Sequence, residues 1–260
     1  MKIRSLVAAA NIGFMFLLVL GITAEAAEIK VLSAIGMMPV IEDLGPKFER
    51  STGHKLAITF ATLDAVVKRV QDGEPADVVV IPRQGIDSFV KDGKAGAGNV
   101  TVVALSGIGV AVRKGTPKPD ISSPEALKRT LLAAKSITYN NPALGGTSGP
   151  HFAKVLDRLG IADEMKPKTV FHPKPGHWVG VLVANGEAEI VVNQLQDLIP
   201  VAGIEIVGPL PGDLQNTVVF AAAIMASAKD AEAAKALVNF LRTPEAAAVI
   251  KAKGMEPATP

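Results

Sequence analysis

The sequence predicts an α/β fold in two lobes, each a mostly parallel sheet flanked by helices. Three observations carry this. Short β-rich runs alternate with helical patterns almost from residue 29 onward. A Pro- and Lys-rich stretch, Lys114-Gly115-Thr116-Pro117-Lys118-Pro119, separates two rounds of that alternation. Two long apolar extended stretches, 102–112 and 217–225, have the length to cross between lobes and act as a hinge. The first lobe is then built from both ends of the chain, 27–107 and 217–260, with the second lobe, 108–216, inserted.

Each element follows from local spacing. Residues 29–33 read as a strand, and 39–50 as a helix with Val40, Leu44 and Phe48 on one face. Residues 55–60 are a second strand, and 63–72 a helix that gathers Leu63, Val66, Val67 and Val70. The near-continuous apolar run 77–81 suits a strand covered on both faces. A short helix follows at 87–91, then extended chain over 100–112. In the second round, Ser123 and Pro124 fit the N-cap and first position of a helix. Strands are expected at 136–139, 168–171, 189–192 and 204–207, with helices at 150–159 and 179–185. The chain returns through 217–225 and ends in Ala-rich helices at 229–241 and 244–253, the latter opened by Thr243-Pro244.

The start of the chain has the three parts of a secretory signal. Lys2 and Arg4 precede an apolar run over 6–22, and Ala24-Glu25-Ala26 supplies a small-x-small exit, so residues 1–26 are expected to be removed. Without them 25 basic and 24 acidic side chains remain. Such a balance offers no electrostatic reason for a nucleic-acid partner. The chain has no cysteine, hence no disulfide framework, thiolate metal site or cysteine nucleophile. Its four histidines are too scattered for sequence-local metal spacing, and no cofactor is expected. No GxSxG, HExxH, P-loop or dinucleotide fingerprint occurs. Hydrophobic residues make up 48% but aromatics only 4%, so the core is one of small aliphatics.

Five phrases stand in an order that resembles the type II periplasmic solute-binding proteins, above all the molybdate-binding family of ABC importers. They are IKVLSAIGMMPVIEDLGPKFERSTGHKL, EPADVVVIP, GGTSGPHFAKVLDRLGI, VANGEAEIVVNQ and AAKALVNFLRTPEAAAVIKAKGMEP. The resemblance implies a periplasmic binding protein type II fold, a small anionic ligand held between the lobes, and an ABC permease as partner of a monomeric protein. It also shows where this chain departs from molybdate binders. Gly36 stands where their serine is expected, Ala61-Thr62-Leu63-Asp64 replaces a Gly-Ser-Ser-Gly turn, and Gln194 takes the place of a tyrosine. A subset similar to the periplasmic aconitate isomerase shares the start VLSAIGMM, the phrase at 116–122, the paired amides Asn193 and Gln194, and VAGIEIVG. That tilts the expected ligand toward an organic carboxylate, with an isomerase as the alternative to a transport protein.

The candidate ligand-binding residues sit where strands hand over to helices. Gly145-Gly146-Thr147-Ser148-Gly149-Pro150 joins a strand to a helix, and its N–H groups with the hydroxyls of Thr147 and Ser148 suit an anion. Ser33, Ala34, Gly36 and Met37 form the matching turn of the first lobe, and Thr62 precedes the next helix. Arg83 follows a strand at its carboxyl edge, the usual ligand side of an α/β sheet, and an Arg grips a carboxylate through two hydrogen bonds. Trp178 is placed to close over a ligand or to pack; Asn193 and Gln194 offer amides at a strand end. If the protein is an isomerase, His151, His177 or a cleft carboxylate such as Asp64 is the candidate base.

Overall fold

The alternation of strand and helix builds two sheets, each covered by helices on both faces. The computed structural model describes residues 26–258, so the expected secretory segment lies, Ala26 apart, outside the described residues. The first sheet has the strand order β10-β4-β9-β3-β1-β2. Its members are β1 (Glu28–Ala34), β2 (Lys55–Ala61), β3 (Val78–Pro82), β4 (Ala95–Ser106), β9 (Val218–Met225) and β10 (Glu256–Pro257). Packed on it are α1 (Met38–Thr52), α2 (Leu63–Gln71), α3 (Arg83–Lys91), α9 (Ala231–Phe240) and α10 (Pro244–Ala252). The second sheet runs β6-β7-β5-β8, from β5 (Ile108–Arg113), β6 (Ile137–Tyr139), β7 (Ile190–Gln194) and β8 (Ile204–Pro209). Its helices are α4 (Pro124–Ala133), α5 (Ser148–Arg158), α6 (Ala162–Met165), α7 (Trp178–Asn185) and α8 (Leu195–Leu198).

Caps and periodicity explain the elements. The Ser123 hydroxyl accepts from Ala126 N at 3.1 Å, the Thr243 hydroxyl from Ala246 N at 3.2 Å, and Asp230 from Ala233 N at 2.9 Å. Each satisfies an orphan donor in a first helical turn. Helix α1 stops at Gly53, whose φ of 80° lies in the left-handed region. In the second sheet Val110, Val112, Ile190 and Val192 face one apolar cluster, while Ala111 and Val191 face another. That period of two places core on both sides of the sheet.

Two sequence expectations need correction. The sheets are mixed rather than mostly parallel. Among the described residues only the strand pairs β1–β2, β1–β3 and β6–β7 are parallel, while β9 runs antiparallel to both β3 and β4, and β5 to both β7 and β8. The cause is topological: the chain leaves the first sheet along β4 and comes back along β9, so the two must run opposite ways. Nor is 168–171 a strand, since only Thr169 bridges Ile137 there and a 3-10 turn occupies Lys166–Lys168.

The crossings between sheets also differ in detail from two simple strands. The expected extended run 100–112 breaks at Gly107, where β4 of one sheet becomes β5 of the other. The return crossing is not 217–225, because β9 lies in the first sheet from Val218; it is the irregular stretch 210–217. Gln215 ties the two crossings together. Its Oε1 accepts from Ile108 N at 2.8 Å and its Nε2 donates to Ile108 O at 2.9 Å, as a neighbouring strand would.

Asp77, just ahead of β3, closes the first lobe. It is 4% exposed, and its carboxylate accepts from Lys30 N at 2.7 Å and Lys229 N at 2.8 Å, binding segments from both ends of the chain. Replacing it with alanine strands both amides. We expect Asp77→Ala to cost roughly 2–4 kcal/mol in urea unfolding, one desolvation penalty per orphaned donor. A loss below about 0.5 kcal/mol would show that the carboxylate is dispensable.

Candidate functional site

Between the sheets lies a narrow pocket of about 40 Å³, enough for a small group or a few waters. The first lobe contributes Ala34, Ile35, Gly36, Thr62, Leu63 and Pro82 to its wall. The second contributes Asn140, Thr147, Ser148, Gly176, Gln194 and Asp197. These residues sit at strand ends because each strand there hands over directly to a helical turn: β1 to the 3-10 turn Ile35–Met37, β2 to α2, β7 to α8. Helix starts from both lobes therefore meet at the pocket, and helix starts present N–H groups and partial positive charge. Thr62 and Thr147 are the N-cap residues of α2 and α5, yet neither side chain caps its helix. Both hydroxyls are without a hydrogen-bond partner among the described residues. No Lys, Arg or His lines this pocket among the described residues.

Behind the second-lobe wall is a buried polar network centred on Asn193, which is fully buried. Asn193 Oδ1 accepts from the Ser148 hydroxyl at 2.8 Å and from Asn140 Nδ2 at 3.0 Å. Its Nδ2 lies 3.1 Å from Gly176 O and 3.2 Å from Asp197 Oδ2. Asn140 Oδ1 in turn accepts from Gly176 N at 2.9 Å. Three segments from elsewhere in the second lobe, and the short helix that follows β7, are thus pinned to one side chain. Gly149 sits against this network for a steric reason: a Cβ there would lie 2.2 Å from the Asn140 carbonyl oxygen.

Asp197 is the only ionisable group of the network. Burial pushes its carboxyl up to about 7, opposed by the Asn193 hydrogen bond. Near neutral pH it is therefore a carboxylic acid as much as a carboxylate, able to donate as well as accept. Gln194, 5% exposed on the pocket wall, has an Nε2 with no partner among the described residues. A buried amide donor without a partner is costly unless a ligand or water meets it.

The two lobes touch around the pocket. Asp64 Oδ2 accepts from Gly146 N at 3.1 Å, reaching from α2 to the turn before α5. Gly145, at φ 75°, lies so close that a Cβ would come within 2.3 Å of the same oxygen. Gly36 is hemmed in likewise: its Cβ would lie 3.0 Å from Phe220 Cζ, 3.1 Å from Gln194 Oε1 and 3.1 Å from Gln196 Nε2. A side chain at position 36 would require an aromatic edge or one of two amides to shift by a few tenths of an ångström.

Of the sequence-predicted residues, Ala34, Gly36, Thr62, Thr147, Ser148 and Gln194 come together on the wall. Asn193 stands behind it. Ser33 does not reach the pocket, because its hydroxyl donates to Val80 O at 3.2 Å and joins β1 to β3. Met37 is fully buried in the first-lobe core, and Gly149 packs on Asn140. Arg83 is half-exposed and its Nε donates to Asp87 at 2.7 Å, away from the pocket. Trp178 is 38% exposed, its ring beside those of His172 and His177 at 5.8 and 4.6 Å and under Lys174 Nζ at 5.3 Å. His177 is thereby tied to Trp178, and His151 Nε2 meets Leu214 O at 2.8 Å; neither lines the pocket. Asn140, Gly176, Gln196 and Asp197 escaped sequence reasoning. One signal was present: Asn193 and Asp197 are four apart, straddling the end of a strand. Among the described residues, no group of three or more His, Asp or Glu could hold a metal ion.

Comparison with known proteins places these features in context. A family model described as bacterial extracellular solute-binding protein matches residues 29–256. An aconitate isomerase of a Pseudomonas species is 35% identical over 233 residues, 87% of each chain. The molybdate-binding protein ModA of Azotobacter vinelandii is 28% identical over 240 residues, covering 90% of this chain and 92% of that one. The solved structure of the periplasmic molybdate-binding protein of Azotobacter vinelandii superposes with a TM-score of 0.71 at 22% identity, covering 89% of this chain and 99% of that one.

The Asn193 network invites a stability test. Asn193→Ala removes every bond described above to that side chain and opens a void behind Ser148. We expect a loss of roughly 2–4 kcal/mol in chemical denaturation. A loss under about 0.5 kcal/mol would mean that the network does not hold the wall.

Proposed function

This chain belongs to the bacterial extracellular solute-binding protein family, and on that premise we propose that it is the periplasmic binding protein of an ABC importer that holds a small organic carboxylate between its lobes. The observation that carries this reading is the pocket wall itself. It draws neutral donors from both lobes, including two uncapped threonine hydroxyls and the unpartnered Gln194 amide, and it includes the near-neutral acid Asp197. Contacts from both sides stabilise the closed arrangement over an open one. The lobes, 27–107 with 217–260 and 108–216, would rock about Gly107 and the stretch 210–217, where Gln215 couples the crossings. An ABC permease is the partner that this reading implies.

Carboxylate is favoured over molybdate by the likeness to a protein named aconitate isomerase, at 35% identity, and by the departures from the molybdate pattern at Gly36 and Gln194. Protonated Asp197 would donate to the bound anion, and a ligand carboxylate can share that proton, as paired carboxyls do. Gly36 carries no hydroxyl where the molybdate pattern has a serine, and a Cβ there would press on Phe220, Gln194 and Gln196.

The pH dependence follows with a definite sign. Anion binding needs the protonated form of Asp197, so affinity should fall as pH rises through about 7. The limiting slope is about ten-fold per pH unit, the weight of one proton. We expect calorimetry with tricarballylate, between pH 7 and 9 where the ligand's own carboxyls stay ionised, to show this loss, and Asp197→Asn to flatten it. Tight molybdate binding with no response to carboxylates would defeat the proposal.

A second reading is favoured by one observation, the carboxyl of Asp197 held near neutrality on the wall, together with the likeness to a protein named aconitate isomerase. In its carboxylate form such a group can take a proton from an allylic carbon and, as the acid thereby formed, return it to another carbon of the same ligand. Incubating the protein with cis- or trans-aconitate, and following the other isomer by chromatography, separates the readings. The transport reading expects saturable binding without conversion. Conversion that vanishes in Asp197→Asn would make the protein an isomerase and Asp197 its proton carrier.

A further inference from the structure

The inter-lobe pocket has a neighbour. Pro82, Gly146 and Thr147 line both the pocket and an adjoining, wider groove of about 410 Å³. The two spaces differ sharply in charge. The pocket includes the acid Asp197 and no basic side chain; the groove includes Arg83, His151 and Lys154 and, among the described residues, no acid. The amides of Gln84 and Asn216 and the hydroxyl of Thr217 complete its polar lining.

We propose that this basic groove is a second anion subsite, which takes the outer carboxylate of an elongated di- or tricarboxylate whose inner carboxylate occupies the pocket. The inference rests on the carboxylate reading of the pocket and narrows it to polyacids. A multiply charged ligand could not place all its charge in about 40 Å³ of space without a cation. The adjoining groove supplies both the room and the positive charge. Arg83 opens α3 directly after β3, so it stands beside the pocket rim formed by Pro82. Its Nε is held by Asp87 Oδ1 at 2.7 Å, which orients the guanidinium, and its two terminal nitrogens remain for a carboxylate. Asp87 also offsets part of the charge of Arg83, which makes Lys154 the second cation that the subsite needs. His151, fixed to Leu214 O at 2.8 Å, also lines the groove.

The test compares ligands that differ in their number of carboxyls. Wild-type protein and an Arg83→Gln/Lys154→Gln variant are titrated calorimetrically with tricarballylate, glutarate and valerate; the last is glutarate with a methyl group in place of one carboxyl. Both positions are at the surface, so the melting temperature should be unchanged, and Arg83→Lys should retain part of the affinity. The proposal expects the double variant to lose about five- to ten-fold in affinity for tricarballylate and glutarate, consistent with two exposed charge contacts. Valerate binding should not change. If the variant weakens all three ligands equally, or none, the groove is no subsite while the pocket reading stands. If wild-type protein binds none of the three, the pocket reading falls and the groove with it.

Discussion

The site depends on one buried amide. Asn193, near the end of β7, satisfies Ser148, Asn140, Gly176 and Asp197 together, and these come from the start of α5, the loop after β6, the loop before α7 and the helix α8. Remove that centre and the turn before α5, the loop ending at Gly176 and the short helix α8 lose their common anchor. Buried polar networks are costly when incomplete and rigid when satisfied. Here rigidity is what a binding wall needs, because donors must already point at the ligand when the lobes meet.

The rest of the site is the consequence of where strands end. Parallel β1, β2 and β3 deliver their carboxyl ends to one edge of the first sheet, and β6 and β7 do the same in the second. Each end passes into a helical turn, so the two edges face each other with partial positive charge. Gly36 and Gly145 then permit the close approach, and Asp64 spans it with a single hydrogen bond to Gly146 N. A carboxylate on the first lobe bonded to an amide of the second holds the lobes together without a salt bridge.

Much of this was legible in the sequence, and the limits have physical causes. Helix caps at Ser123 and Thr243, the apolar periodicity of α1 and α2, and the buried run of β3 are local signals, and they appear where expected. The turn 145–150 could be singled out because Gly, Thr and Ser before a Pro-containing helix start have a local meaning. Strand direction could not be read this way, since whether β9 runs with or against β3 depends on a crossing more than a hundred residues away in sequence. Arg83, His151 and His177 looked like site residues on chemistry alone; their side chains lie outside the pocket, beside Asp87, Leu214 and Trp178 respectively. Asp197 was missed because its burial is set by segments packed on it from elsewhere; its spacing of four from Asn193 was the one local signal.

The most direct test is a crystal structure of the protein with tricarballylate. The account predicts density for one carboxylate between Thr62 of the first lobe and Thr147 and Ser148 of the second, within hydrogen-bond distance of Gln194 and Asp197. Density that touches one lobe alone, or a ligand bound away from these residues, would contradict it.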